Sequence, residues 1–144
     1  MTDKKAPAAF LKLELAGVRI FFEFADPGFN TLAVRRYGRF ISAGRLRTCS
    51  ETAKARGGLF YRIPVSGAAG GLPPFRPEIR EENGILRLRR GDFNCVLDLK
   101  TGLGALKAAP RVQAFDAFLR SLISFLLIKS GGAMLHSAGI VKKG

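Results

Sequence analysis

One stretch of the sequence, from Pro110 to Lys129, constrains the fold more than any other. Nearly every position in it is apolar, apart from a narrow polar stripe at spacings of three and four residues: Gln113, Asp116, Arg120 and Ser124. This period is typical of an α-helix, and a helix this apolar is buried on most of its sides. Pro110 suits the first turn, where a missing N–H costs nothing, and Gly131-Gly132 predicts the helix end. The stretch is therefore predicted to be one long, buried helix.

Two alternating runs near the N-terminus predict a β-hairpin. Apolar and polar residues alternate over residues 10–15 and again over residues 18–24, and Ala16-Gly17 lies between the two runs. Alternation of this kind is typical of strands with one buried face. The turn residues 26–28 close the hairpin, and a helical pattern over residues 29–38 predicts a short helix that ends near Gly38.

The middle of the chain predicts further strands. Residues 58–65 read as a strand, whereas residues 42–58 are rich in Ser, Thr, Gly and basic residues and read as a loop with at most one short strand. Asn83-Gly84 lies between alternating runs, which is a strong hairpin signal. Residues 78–108 are therefore predicted to form a meander of three or four antiparallel strands. The fold class is α+β: antiparallel hairpins, an early short helix and one long buried helix near 110–129.

Length and composition indicate a single globular domain. The chain has 144 residues, of which 47% are hydrophobic, and its twelve Phe against no Trp predict a core filled largely by Phe. The glycine-rich and proline-rich residues 66–74 are a candidate boundary between sub-lobes 1–66 and 74–144.

Charge and cysteine content indicate compartment and partners. The net charge is +13, which favours anionic partners or is only a solvated surface. Cys49 and Cys95 lack metal-ligand spacing, and the N-terminus has no long apolar segment of a secretory signal. We therefore expect a cytoplasmic protein with two free thiols that act as packing residues. The most apolar run, residues 122–128, is too short to span a bilayer.

The C-terminal residues carry the most specific pattern. After the predicted helix and the Gly-Gly break, residues 133–141 read as a strand that contains the only histidine, His136. Residues 142–144 then form a charged glycine turn. This order resembles the segment just before the Walker A loop in bacterial kinases similar to HPr serine kinase, whose ATP-binding core is shared with phosphoenolpyruvate carboxykinase.

In that family, a Leu-His-containing strand and a glycine turn lead into the strand that precedes G-x-x-x-x-G-K-[ST]. Residues 135–141 match this strand position by position, and the resemblance covers about Ala109 to Gly144. A weaker match is the spacing of Tyr37 and Phe40 after an early helix. The resemblance implies that His136 lies near the nucleotide phosphates, as a hydrogen-bond donor or cation. The alternative is a histidine on a strand with no ligand.

The Walker A loop itself does not occur in these 144 residues. The glycine-rich stretches lack the lysine and hydroxyl residues that reach phosphates and Mg²⁺. We therefore expect the N-terminal part of an HPr-kinase-like, ATP-dependent protein kinase. Its P-loop core would begin near residue 130 and continue beyond 144, so ATP and Mg²⁺ belong to the complete protein and the isolated chain is not an enzyme. The strand at 133–141 would then have an unpaired edge, which predicts a homodimer or a frayed end.

Clustered arginines predict a second kind of function. Arg35, Arg36 and Arg39 lie around the end of the early helix, and Arg87 and Arg89 share the outward face of a predicted strand. Basic surfaces bind anions, and with aromatic residues nearby they hold single-stranded nucleic acid. The alternative function is therefore a non-enzymatic basic binding module for nucleic acid or an acidic protein partner. Neither a convincing carboxylate pair nor metal-ligand spacing occurs in the sequence, so we predict no metal site.

Overall fold

A computed structural model describes residues 9–15, 17–38, 59–67 and 76–132. The described residues form one mixed sheet and two helices. The order of the strands in the sheet is β1-β2-β3-β7-β6-β5-β4. In chain order the elements are β1 (Ala9–Leu15), β2 (Val18–Phe24), α1 (Pro27–Tyr37), β3 (Leu59–Gly67), β4 (Glu78–Glu82), β5 (Ile85–Arg90), β6 (Phe93–Asp98), β7 (Gly104–Ala108) and α2 (Val112–Lys129). The predicted α+β class is confirmed, and both predicted helices are present.

Two tight turns fix the hairpins that the sequence predicts. Leu15 pairs with Val18 across the first turn, where Gly17 has a φ of +79°. Asn83 and Gly84 both have positive φ, 54° and 83°, between β4 and β5. Positive φ at both central residues matches the right-handed twist of the flanking strands, which is why Asn-Gly is favoured there. The register of both hairpins therefore follows from local sequence.

The strand β3 corrects the expectation of a purely antiparallel sheet. It lies between β2 and β7 and pairs with both in parallel, whereas β1–β2 and the β4–β7 meander are antiparallel as predicted. A parallel pair needs a long crossover connection, and the connection from β2 to β3 contains α1. Strands from both sides of residues 68–75 thus lie in this one sheet.

The first helix begins two residues earlier than predicted, because its start was interpreted as a turn. Asp26 is the N-cap, and its carboxylate accepts a 2.8 Å hydrogen bond from the backbone N–H of Gly28. Pro27 occupies the first helical turn, where its lack of an N–H is harmless. Phe29 and Ala33 form the buried side of the helix.

The second helix is the predicted long one, and it begins at Val112, two residues after Pro110. Its buried positions are Ala114, Phe115, Phe118, Leu119, Ser121, Leu122, Ile123 and Leu126. Gly131 has a φ of +80°, and the N–H of Gly132 donates to the carbonyl of Leu127 at 2.7 Å. This glycine termination is the one predicted from the Gly-Gly pair.

Phenylalanine rings join the sheet to both helices. Phe115 of α2 lies 5.1 Å from Phe22 of β2 and 5.7 Å from Phe29 of α1, measured between ring centroids. Further along the sheet, Phe93 of β6 lies 5.8 Å from Phe118. Both helices therefore cover the same face of the sheet, here called the helix face. The opposite side is called the outer face.

Candidate anion-binding face

Four basic side chains project from the outer face over the strands β4 to β7. Because side chains alternate along a strand, the buried Leu86 and Leu88 place Arg87 and Arg89 on the opposite side. The pairing places Arg80 of β4 opposite Arg87. It also places Asn94 between Arg89 and Lys107, in one row across three strands. We call Arg80, Arg87, Arg89 and Lys107 the basic face.

Strand geometry sets the spacing of these four cations. Residues two apart on a strand, such as Arg87 and Arg89, have Cα atoms about 6.6–6.8 Å apart. Directly opposed residues such as Arg80 and Arg87 are about 4.5–5.5 Å apart. Arg89 and Lys107 are separated by two strand spacings, or about 9.5 Å. All four side chains are thus anchored on one rigid scaffold.

Most of these cations have no carboxylate partner among the described residues. Arg80 forms a 2.5 Å ion pair with Glu78, whose side chain is also exposed, so this pair contributes little to stability. The ion pairs of the described residues do not involve Arg87, Arg89 or Lys107, and all three are exposed. Their charge is therefore available to an external anion.

Acidic side chains bound the basic face on two sides. Glu78 lies opposite Arg89 at one end, while Glu82 and Asp98 flank Ile85 at the other. The Asp98 carboxylate accepts backbone N–H groups of the following turn, from Lys100 at 2.8 Å and Thr101 at 3.2 Å, and these bonds lower its pKa. The basic face is consequently bounded at both ends along the direction of the strands.

The arginines of the first helix lie in a different layer. Arg35 and Arg36 are in the last turn of α1, which packs on the helix face. Arg36 lies 3.4 Å from a carboxylate oxygen of Asp116. The sheet therefore separates this pair from Arg87 and Arg89, and the predicted anion-binding set is not one site. Arg39 lies outside the described residues.

The motif residues at the C-terminus also lie outside the described residues. This applies to His136, to the predicted strand 133–141 with its homodimer, and to the glycine turn 142–144. Phe40, which completes the Tyr-x-x-Phe spacing, and Cys49 lie outside as well. These expectations stay predictions.

A polar link between the helices was not predicted from the sequence. The hydroxyl of Tyr37 donates a hydrogen bond to the carboxylate of Asp116. Burial and this hydrogen bond raise the pKa of Tyr37 far above its usual value, so the phenol stays protonated. The available signal was Asp116 itself, which is the one acidic residue of α2. The link explains how α1 is held against α2.

A second missed feature is a buried ion pair at the β5–β6 turn. Arg90 contacts both carboxylate oxygens of Asp92, at 2.6 and 2.7 Å, and lies 5.3 Å from the centroid of Phe93. The hydrogen bond from Arg90 lowers the pKa of Asp92, which is only 4% exposed. The Asp92 carbonyl also accepts the N–H of Ala109 at 2.8 Å. This cluster connects the turn to the segment that enters α2.

Cys95 is a packing residue, as predicted. It is fully buried in β6, and burial raises its thiol pKa to about 12. A thiol in that state is a poor nucleophile because almost none of it is ionised at neutral pH.

The described residues also bear on metals and membranes. Within residues 9–15, 17–38, 59–67 and 76–132, no three His, Cys, Asp or Glu side chains are arranged to hold a metal ion. Over the same ranges, neither helix has both the length and the hydropathy that crossing a bilayer requires.

No known family model, curated protein or solved structure matches the chain.

Proposed function

We propose that this chain is the region preceding the P-loop in a cytoplasmic protein similar to HPr serine kinases. The proposal rests on the order of elements around Gly131. A long buried helix ends there in a left-handed glycine turn. The Leu135-His136 segment that resembles the family follows three residues after Gly132. The helix and its glycine end, which the sequence predicts from periodicity and from the Gly131-Gly132 pair, supply the element that precedes this strand in the family.

By itself this region performs no phosphoryl transfer. Transfer from ATP needs a cradle of backbone N–H groups, a lysine on the phosphates and a hydroxyl on Mg²⁺, all of which belong to the Walker A loop. The sequence contains no G-x-x-x-x-G-K-[ST]. The role proposed for His136 is to donate a hydrogen bond near the γ-phosphate once that loop is present.

The natural reading frame downstream of Gly144 tests this proposal. We expect a further strand and then G-x-x-x-x-G-K-[ST], within about fifteen codons. A stop codon directly after Gly144, or a long continuation without this motif, contradicts the proposal.

The second candidate function is a non-enzymatic module that binds an anionic macromolecule through the basic face. The observation that favours it is the exposure of Arg87, Arg89 and Lys107, which take part in none of the ion pairs among the described residues. A surface with no binding function can pair its cations with neighbouring carboxylates. A surface that binds anions needs exposed cations that are not already paired.

Salt-dependent binding tests the second candidate. The double variant Arg87→Gln/Arg89→Gln is compared with Arg35→Gln/Arg120→Gln, which removes the same charge from exposed positions of the helix layer. If the basic face binds, the first variant loses affinity for a polyanion such as heparin and the second does not. Equal losses in both variants contradict a defined site, because only net charge then matters.

A further inference from the structure

We propose that the basic face binds an extended, acidic segment of a protein, with carboxylates at alternate positions that pair with Arg87 and Arg89. This inference rests on the second candidate function and specifies its partner. An acidic segment is distinguished from nucleic acid by three features of the outer face: the spacing of its cations, its acidic borders and the placement of its aromatic side chains.

The spacing matches an extended peptide. Arg87 and Arg89 lie two residues apart on β5, with Arg80 of β4 opposite Arg87 on one flank and Lys107 two strands away on the other. An extended peptide has the same repeat of about 6.6–6.8 Å between alternate residues, so its carboxylates at positions i and i+2 reach both guanidinium groups. Each guanidinium offers a planar fork of donors to one carboxylate.

The surroundings of the arginines favour a short contact. Val96 lies directly opposite Arg87 and is 36% exposed, so it offers an apolar contact to the methylene groups of the Glu side chain that pairs with Arg87. Glu78, Glu82 and Asp98 lie at the borders and repel a polyanion that continues beyond the patch. A segment with two or three carboxylates fits within these borders, whereas a long phosphate backbone crosses them.

The aromatic side chains lie in the wrong place for nucleic acid. Proteins that hold single strands stack successive bases on aromatic rings next to the cations. Among side chains that the structure describes, the aromatic residues of the outer face are Phe10 and Phe21, on β1 and β2. Their ring centroids are 5.4 Å apart, so they pack against each other. The strand β2 is four strand spacings from β5 in the sheet order, or about 19 Å, which is too far for stacking beside Arg87.

Fluorescence anisotropy with three labelled probes tests the proposal on the full 144-residue chain. The first probe is the extended peptide Thr-Glu-Thr-Glu-Thr-Thr between glycine flanks, with its two Glu at positions i and i+2. The second is Thr-Glu-Thr-Thr-Glu-Thr, which has the same composition but places its two Glu at i and i+3, on opposite faces of an extended chain. The third is a twelve-nucleotide oligothymidine. The proteins are the wild type, Arg87→Gln/Arg89→Gln and the matched control Arg35→Gln/Arg120→Gln.

We expect the peptide with Glu at i and i+2 to bind several-fold more tightly than the peptide with Glu at i and i+3. Exposed ion pairs contribute up to about a factor of five each, so Arg87→Gln/Arg89→Gln should weaken binding by about tenfold, while the control variant changes it less than about twofold. Tighter binding of oligothymidine, lost in the same variant, overturns the acidic-segment proposal but keeps the basic module. Absence of binding to all three probes overturns both. Equal affinity for the two peptides overturns the spacing argument.

Discussion

The ring of Phe115 is the position where a single substitution should damage this fold most. It is 1% exposed and contacts rings from the sheet and both helices, with centroid distances of 5.1 Å to Phe22, 5.7 Å to Phe29 and 5.8 Å to Tyr37. Truncating a buried Phe to Ala usually costs about 3–5 kcal/mol, because both the transfer free energy and the packing around the cavity are lost. Each aromatic pair adds about 0.5–1.5 kcal/mol to the loss. We therefore expect Phe115→Ala to lower the free energy of unfolding by at least about 4 kcal/mol.

Urea denaturation followed by circular dichroism measures this loss. Because domains of this size are stable by only about 5–15 kcal/mol, Phe115→Leu provides a milder variant that should stay folded and lose about 1–2 kcal/mol. Ile128→Ala is the control, since Ile128 is 68% exposed and its truncation should change the free energy by less than about 0.5 kcal/mol. If Phe115→Ala costs no more than the control, the packing of both helices on one face of the sheet is wrong.

Three further substitutions test local features, each by the free energy of unfolding. Gly104→Ala places a Cβ 2.7 Å from a backbone carbonyl of the neighbouring strand and should destabilise by about 1–3 kcal/mol, whereas Gly38→Ala, with open space around it, should be neutral or stabilising. Tyr37→Phe removes the hydroxyl that donates to Asp116 and should cost about 1–2 kcal/mol; no loss would mean that this link between the helices is unimportant. Asp92 has a lowered pKa in the folded protein, so its stabilising contribution is present above the unfolded pKa of about 3.9 and is lost as the pH falls through the lower folded value. The difference in stability between wild type and Asp92→Asn should therefore shrink below about pH 4, and a difference independent of pH from 2 to 7 would contradict the ion pair.

Patterns within a single element predicted the local structure well. The alternation over residues 85–90 and 93–98 places leucines and Cys95 inside and Arg87 and Arg89 outside, as the structure has them. Asn83-Gly84 predicted its hairpin because the turn type depends on residues within the turn itself. The start of α1 was missed since Asp26-Pro27 suits both a turn and a helix N-cap.

Features that depend on distant residues were not predictable in the same way. Period-two alternation says which residues share a face but not which strand lies alongside, so the parallel partners of β3 were missed. The arginines of α1 and β5 carry the same charge, but the sheet lies between them because α1 packs on the helix face. The link from Tyr37 to Asp116 joins residues 79 positions apart. Asp116 stands out as the acidic residue of α2, but nothing near it in the sequence indicates that Tyr37 is its partner.

Titration of Mg²⁺-ATP by calorimetry tests the proposed function most directly. Two proteins are compared: the 144-residue chain, and the chain continued through its natural reading frame past the expected P-loop. We predict saturable binding of ATP by the longer protein, weakened by His136→Ala, and no binding by the 144-residue chain. Saturable ATP binding by the 144-residue chain, or its absence from the longer protein, would contradict the proposed function.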